Sequence, residues 1–171
     1  MNYYLITLRI LHIGLGILWA GAIMTFALFI IPTLNSMGAE AGKFMTALNK
    51  VARYPMFMSI IATLTIVTGF LLLWKISAGF NSIWMSSHYG ITMSTGDVLA
   101  LIAYSFDITI VMPTSVKLAK AGAEFAASNT PPTPGQISIM TGYRKRIQKV
   151  TGLVALLIAL SVVCMAIAQY V

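Results

Sequence analysis

Residues 10–32 read ILHIGLGILWAGAIMTFALFIIP. The stretch holds one histidine and no formally charged side chain. At about 1.5 Å per residue a helix of this length crosses a hydrocarbon core about 30 Å thick. Three further apolar stretches follow, at about 56–76, 98–117 and 150–170. The whole chain of 171 residues is 58% hydrophobic and only 9% charged. A soluble domain carries about 25% charged residues to face water. This chain has too few, and a bilayer does not require them. The expected fold is all-α: one integral membrane domain over 1–171, a bundle of four transmembrane helices in contact with lipid.

The connections refine this reading. Residues 33–54 carry Glu40, Lys43, Lys50 and Arg53, with Phe44, Met45, Leu48 and Val51 at helical spacing. That pattern predicts a short amphipathic helix at the interface after the first span. Pro55 suits the opening of the second span. The loop 77–96 is uncharged apart from His88 and rich in Trp, Tyr, Met and Ser, as headgroup-level segments are. Ser94 or Thr95 is the expected cap of the third helix, with Asp97 in its first turn. SNTPPTPG, residues 128–135, must break the chain before a last helix that begins near Gln136. IIPT (30–33) and VMPT (111–114) end the first and third spans alike, which hints at two related hairpins.

The net charge is +7. Nine basic residues fall in the first and third connections: Lys43, Lys50, Arg53, Lys117, Lys120, Arg144, Lys145, Arg146 and Lys149. Arg9 and Lys75 fall on the opposite side. The positive-inside rule then places both termini outside the cytoplasm, in a multi-pass protein of the plasma membrane. The same distribution argues against nucleic acid, since no soluble groove exists to hold it. The first apolar run reads as a span rather than a cleaved leader, because no small-residue cleavage motif follows it. The single cysteine, Cys164, lies in an apolar run and forms no disulfide within the chain.

Polar groups inside a span need an explanation. Arg9, His12, Gly16, Trp19 and Ala20 share one helical stripe. In one reading Gly16 and Ala20 make a close helix contact and His12 hydrogen-bonds to a neighbour. In the other, His12 ligates a haem iron or copper ion and Gly16 leaves room for it. Met85, His88 and Met93 form a cluster in the outer loop, on the same predicted side as His12, and suit copper as soft and borderline ligands. Asp107 falls in the middle of the third span. It must face the bundle, be protonated or find a partner among groups such as Thr65, Thr68, Tyr104, Thr109 and Arg9. A proton-carrying role and a plain interhelical hydrogen bond both fit. With four acids and two histidines, hydrolytic chemistry has little to work with.

RILHIGLGILWAGAIMTFALFIIPTL, residues 9–34, resembles the opening helix of the copper-resistance protein D superfamily and of related small integral membrane proteins. More distantly it resembles the HemJ-type protoporphyrinogen oxidases. The matching positions are Leu11, His12, Trp19, Gly21 and Pro32; residues 144–169 are similar to the last helix of those proteins. The resemblance implies a helical bundle and a link to haem b or copper, with His12 as the ligand position. The HemJ-like pattern also expects a lysine and further histidines in later helices. This chain has Asp97 and Asp107 there instead, which argues against protoporphyrinogen oxidation and bis-histidine ligation. Two functions follow as expectations: a redox-associated membrane protein binding haem or copper through His12, with His88, or a non-catalytic accessory or assembly subunit. Its partners would be other subunits or further copies of the chain. A transporter using Asp107 is a third class, without the paired broken helices usual there.

Overall fold

The computed structural model describes residues 3–38, 41–127 and 133–171, without the side chains of 126 and 127. Glu40 and the stretch 128–132 lie outside the described residues. The described chain is helical throughout, with turns between α1 (Tyr3–Thr25), α2 (Ile31–Ser36), α3 (Ala41–Lys50), α4 (Tyr54–Ile76), α5 (Ser82–Met85), α6 (His88–Phe106), α7 (Met112–Ala127) and α8 (Pro134–Ile167). Four continuous helical stretches, Tyr3–Ser36, Tyr54–Ile76, His88–Phe125 and Pro134–Tyr170, are long and apolar enough to cross a membrane. The expected four spans and the short helix after the first are therefore present.

α1 packs on α4, and α6 on α8; α1 also touches α8, and α4 touches α6. The four helices thus close a ring with α1 and α6 on its diagonal. The core is small: Trp19, Ile23, Ile61, Ala62, Ala103, Val154 and Ile158. Trp19 reaches across the diagonal to Tyr104, edge to face at 6.3 Å between centroids. Outward faces are apolar. Ile10 is 66% exposed and Ile17 67%, a state that suits hydrocarbon and not water.

Both proline motifs take the same local form. A π turn spans Phe26–Ile30 and another Asp107–Val111, each just ahead of its proline. Ile31 N–H donates to Phe26 O, and Met112 N–H to Asp107 O, five residues back in each case. A proline ring clashes with the carbonyl four residues earlier. Widening the helix by one residue relieves that clash and keeps the chain helical.

The third helix begins earlier than Asp97. Ser87, not Ser94 or Thr95, is its cap and accepts from Gly90 N–H. Thr95 instead bonds back to Ile91 O within the helix, and Ser94 donates to Met85 Sδ at 3.9 Å. Gly90 makes the tight entrance feasible, because a Cβ there would collide with the Trp84 carbonyl. α8 starts on a complete capping box, with Thr133 and Gln136 satisfying each other's backbone N–H.

Small residues set how closely the hairpins pack. At Gly96 a Cβ would lie 3.0 Å from Met165 Cγ and 3.1 Å from Ser161 O. At Gly14 no atom lies within 4 Å of such a Cβ. Gly96→Leu is therefore expected to cost about 1–3 kcal/mol by overpacking, while Gly14→Leu stays within roughly 0.5 kcal/mol of the parent. Thermal unfolding in detergent compares the two.

Candidate functional site

His12 lies on the stripe of α1 that holds Leu8, Trp19 and Ile23, all buried. It is eight residues in from Tyr4, about 12 Å along the helix. Tyr4 marks the N-terminal end of the bundle, where the Lys75 ammonium sits 5.9 Å from its ring centroid. His12 is thus inside the apolar zone and needs partners from within the bundle.

α4 supplies them. The His12 Nδ1 atom is 3.0 Å from the Thr65 carbonyl oxygen and 3.5 Å from Thr68 Oγ1. A carbonyl only accepts, so Nδ1 carries the hydrogen. The Thr68 hydroxyl spends its own proton on Leu64 O at 2.7 Å, which leaves its lone pairs toward the imidazole. In the neutral ring Nε2 then holds the lone pair. Nε2 makes no hydrogen bond among the described residues and is not sealed from the surface. Gly69 seats the ring; a Cβ there would fall 2.8 Å from His12 Cε1. At Gly16 the nearest side-chain atom to such a Cβ is Thr65 Cγ2, at 3.7 Å, so a methyl group faces that gap.

The residues singled out between α5 and α6 make no hydrogen bond to this arrangement among the described residues. His88 is exposed in the first turn of α6. Met93 follows five positions later, about 140° around the same helix. Met85 ends α5. Among the described residues no group of three or more His, Cys, Asp or Glu side chains converges. Asp107 is half-buried at the start of its π turn. Of the partners expected for it, Thr65 and Thr68 are with His12 instead, and exposed Arg9 is near the N-terminal end of α1. Tyr104, one turn away, is bonded to Thr63 Oγ1 at 2.7 Å, and Thr109, in the same π turn, returns its hydroxyl to Ser105 O at 2.6 Å.

Sequence reading missed Gly69, Thr65 and Thr68 as the seat of the imidazole. The signal was there: Thr65, Thr68 and Gly69 lie three and four apart on one face of an otherwise apolar span. Gly69→Ala must displace the His12 ring from Thr65. The expected outcome is a changed nitrogen-15 signature of Nδ1, read by NMR of histidine-labelled protein. An unchanged signature would show that the seat tolerates a methyl group. No family model, no curated protein and no solved structure matches the chain, so its functional reading rests on these side chains.

Proposed function

We propose that this is a small redox-associated protein of the plasma membrane that holds a haem b through His12 Nε2 in the outer half of the bilayer. One observation carries the reading. His12 is fixed in the tautomer a metal ligand needs, by a 3.0 Å bond from Nδ1 to a backbone carbonyl. Ligating histidines are typically oriented in this way. Haem suits the site better than bare copper. A porphyrin brings four nitrogens of its own and asks the protein for one or two axial ligands, whereas copper needs several protein donors. His88 and Met93 lie about 140° apart around α6, so the two do not face one copper ion together. Bound haem would supply one-electron chemistry. The chain's part would be to orient the imidazole through Thr65, Thr68 and Gly69.

The orientation follows from charge. Lys43, Lys50, Arg53, Lys117, Lys120 and the cluster from Arg144 to Lys149 all lie at the end of the bundle opposite Tyr4. Placing that end in the cytoplasm puts His12 in the outer half and both termini outside.

A second reading, an accessory subunit of a larger membrane complex, has its own support. Ser59 and Thr63, one turn apart on α4, line a hollow of about 250 Å³ with Ile60 and Leu64. Small hydroxyl residues on an outward face are what a neighbouring transmembrane helix packs against.

The absorption spectrum and metal content of the purified protein test the first reading. A Soret band that His12→Ala largely removes is expected, with a smaller loss for His88→Ala. The seat variant Gly69→Ala should weaken retention about 10–100-fold. A colourless, metal-free protein that runs with a second membrane protein in native mass spectrometry would favour the subunit reading. Cysteine labelling should reach position 88 from outside and positions 144–149 only from the cytoplasm. The reverse pattern would overturn the orientation.

A further inference from the structure

Three polar side chains outside the His12 site meet at one depth of the bundle. Trp19 and Thr151 are each 3% exposed, and neither Trp19 Nε1 nor Thr151 Oγ1 has a hydrogen-bond partner. Buried donors left unpaired are rare and point to an unseen partner. Thr151 is also out of pattern. The hydroxyls of Thr63, Thr65, Thr95 and Thr109 each donate to the carbonyl four residues earlier. Thr151, equally helical, does not fold back. The third side chain is Asp107, whose carboxyl makes no hydrogen bond to another described residue.

The register brings them together. Ser161 Oγ donates to Gly96 O at 2.7 Å, pinning α8 beside α6. From Gly96 to Asp107 is about 16 Å along one helix, and from Ser161 back to Thr151 about 15 Å along the other. The two helices run antiparallel, so both residues reach the same depth. Gly96, Ala103 and Asp107 lie seven and four apart on one stripe of the span. Thr151, Val154, Ile158 and Ser161 form the buried stripe of α8. The π turn that opens at Asp107 packs on α8. Trp19 reaches the same layer through its edge contact with Tyr104, one turn from Asp107.

We propose that Asp107 is a proton-exchanging carboxyl kept wet by water held between Trp19 Nε1–H and the Thr151 hydroxyl. Such a water accepts from the indole, donates to the carboxylate and uses the hydroxyl for its third bond, the usual complement of a buried water. A proton arriving along it adds to a carboxylate oxygen and leaves by the same path, with no other bond changed. The ionisable neighbours are few. α4 contributes Tyr54, which interacts electrostatically with Asp107, and the residue's own helix contributes Tyr104. On α8 the nearest charge is exposed Lys149, about 200° around the helix from Thr151. The charges of α1 lie in its outer half. Tyr54 also lines a hollow of about 230 Å³ with Phe26, Phe44 and Leu48 at the basic end of the bundle.

Infrared spectroscopy of the full chain in vesicles reads the carboxyl directly. The expected result is a C=O band that titrates with pH, shifts in heavy water and is lost in Asp107→Asn. Thr and Val have nearly the same shape. In a wet site Thr151→Val should slow the exchange and lower the melting temperature. In a dry site it would raise the melting temperature by deleting an unpaired hydroxyl. That rise, or a band indifferent to pH and heavy water, would overturn the proposal. Indole-labelled protein needs no variant: the Trp19 N–H should show magnetisation transfer from water, and its absence would also overturn it.

Discussion

In hydrocarbon a polar group has no water to fall back on, and the organisation of this bundle follows from that. The backbone meets the demand by staying helical across all four spans. Side chains meet it locally where they can: Thr33, Thr63, Thr95 and Thr109 return their hydroxyls to their own helix. Other groups tie helices together. His12 reaches the Thr65 carbonyl on α4, Ser161 reaches Gly96 O on α6, and Tyr104 meets Thr63. Each of the two extensive helix pairs thus carries a bond from a side chain on one helix to a backbone carbonyl on the other.

This division also sorts structure from chemistry. Ser161 is buried and its bond is complete, so it stitches the second hairpin. His12 has a second nitrogen left over after stitching the first. An imidazole that only joined helices would need one nitrogen; this one is held by Nδ1 and offers Nε2. Its ring sits against Gly69, where any larger residue would compete for the space.

Much of the fold was legible in the sequence because hydropathy over some twenty residues is a long signal. The four spans and the amphipathic Ala41–Lys50 helix rest on many side chains each. Local chemistry over three or four residues was less legible. Ser94 and Thr95 look as good a cap as Ser87, and only the Trp84 carbonyl packed on Gly90 distinguishes them. The π turns were not legible at all, since proline predicts a disturbance without saying how the helix absorbs it. For the candidate site, the sequence singled out His12 and Asp107 by their polarity in apolar runs. It did not reveal their neighbours, because antiparallel register decides that Thr65 meets His12 and that Thr151 shares a depth with Asp107. Trp19 read as one more aromatic in a stripe; its unpaired indole nitrogen exists only in the packed bundle.

The matched π turns allow one hairpin to be laid on the other. Setting Pro113 on Pro32 puts Met93 where the first hairpin has His12, and Asp107 where it has Phe26. The thioether thus stands in for the imidazole, and the carboxylate for an aromatic ring that stacks on Tyr54 at 5.6 Å. The two halves share a π turn ahead of a proline and differ in the side chains around it. One carries its imidazole nearer the N-terminal end of the bundle and an aromatic ring fourteen residues on. The other carries a thioether and, fourteen residues on, an acid in the position matched to that ring. Each half therefore carries its distinctive group at a different depth, and a single copy of the hairpin, paired with itself, would carry two of one and none of the other.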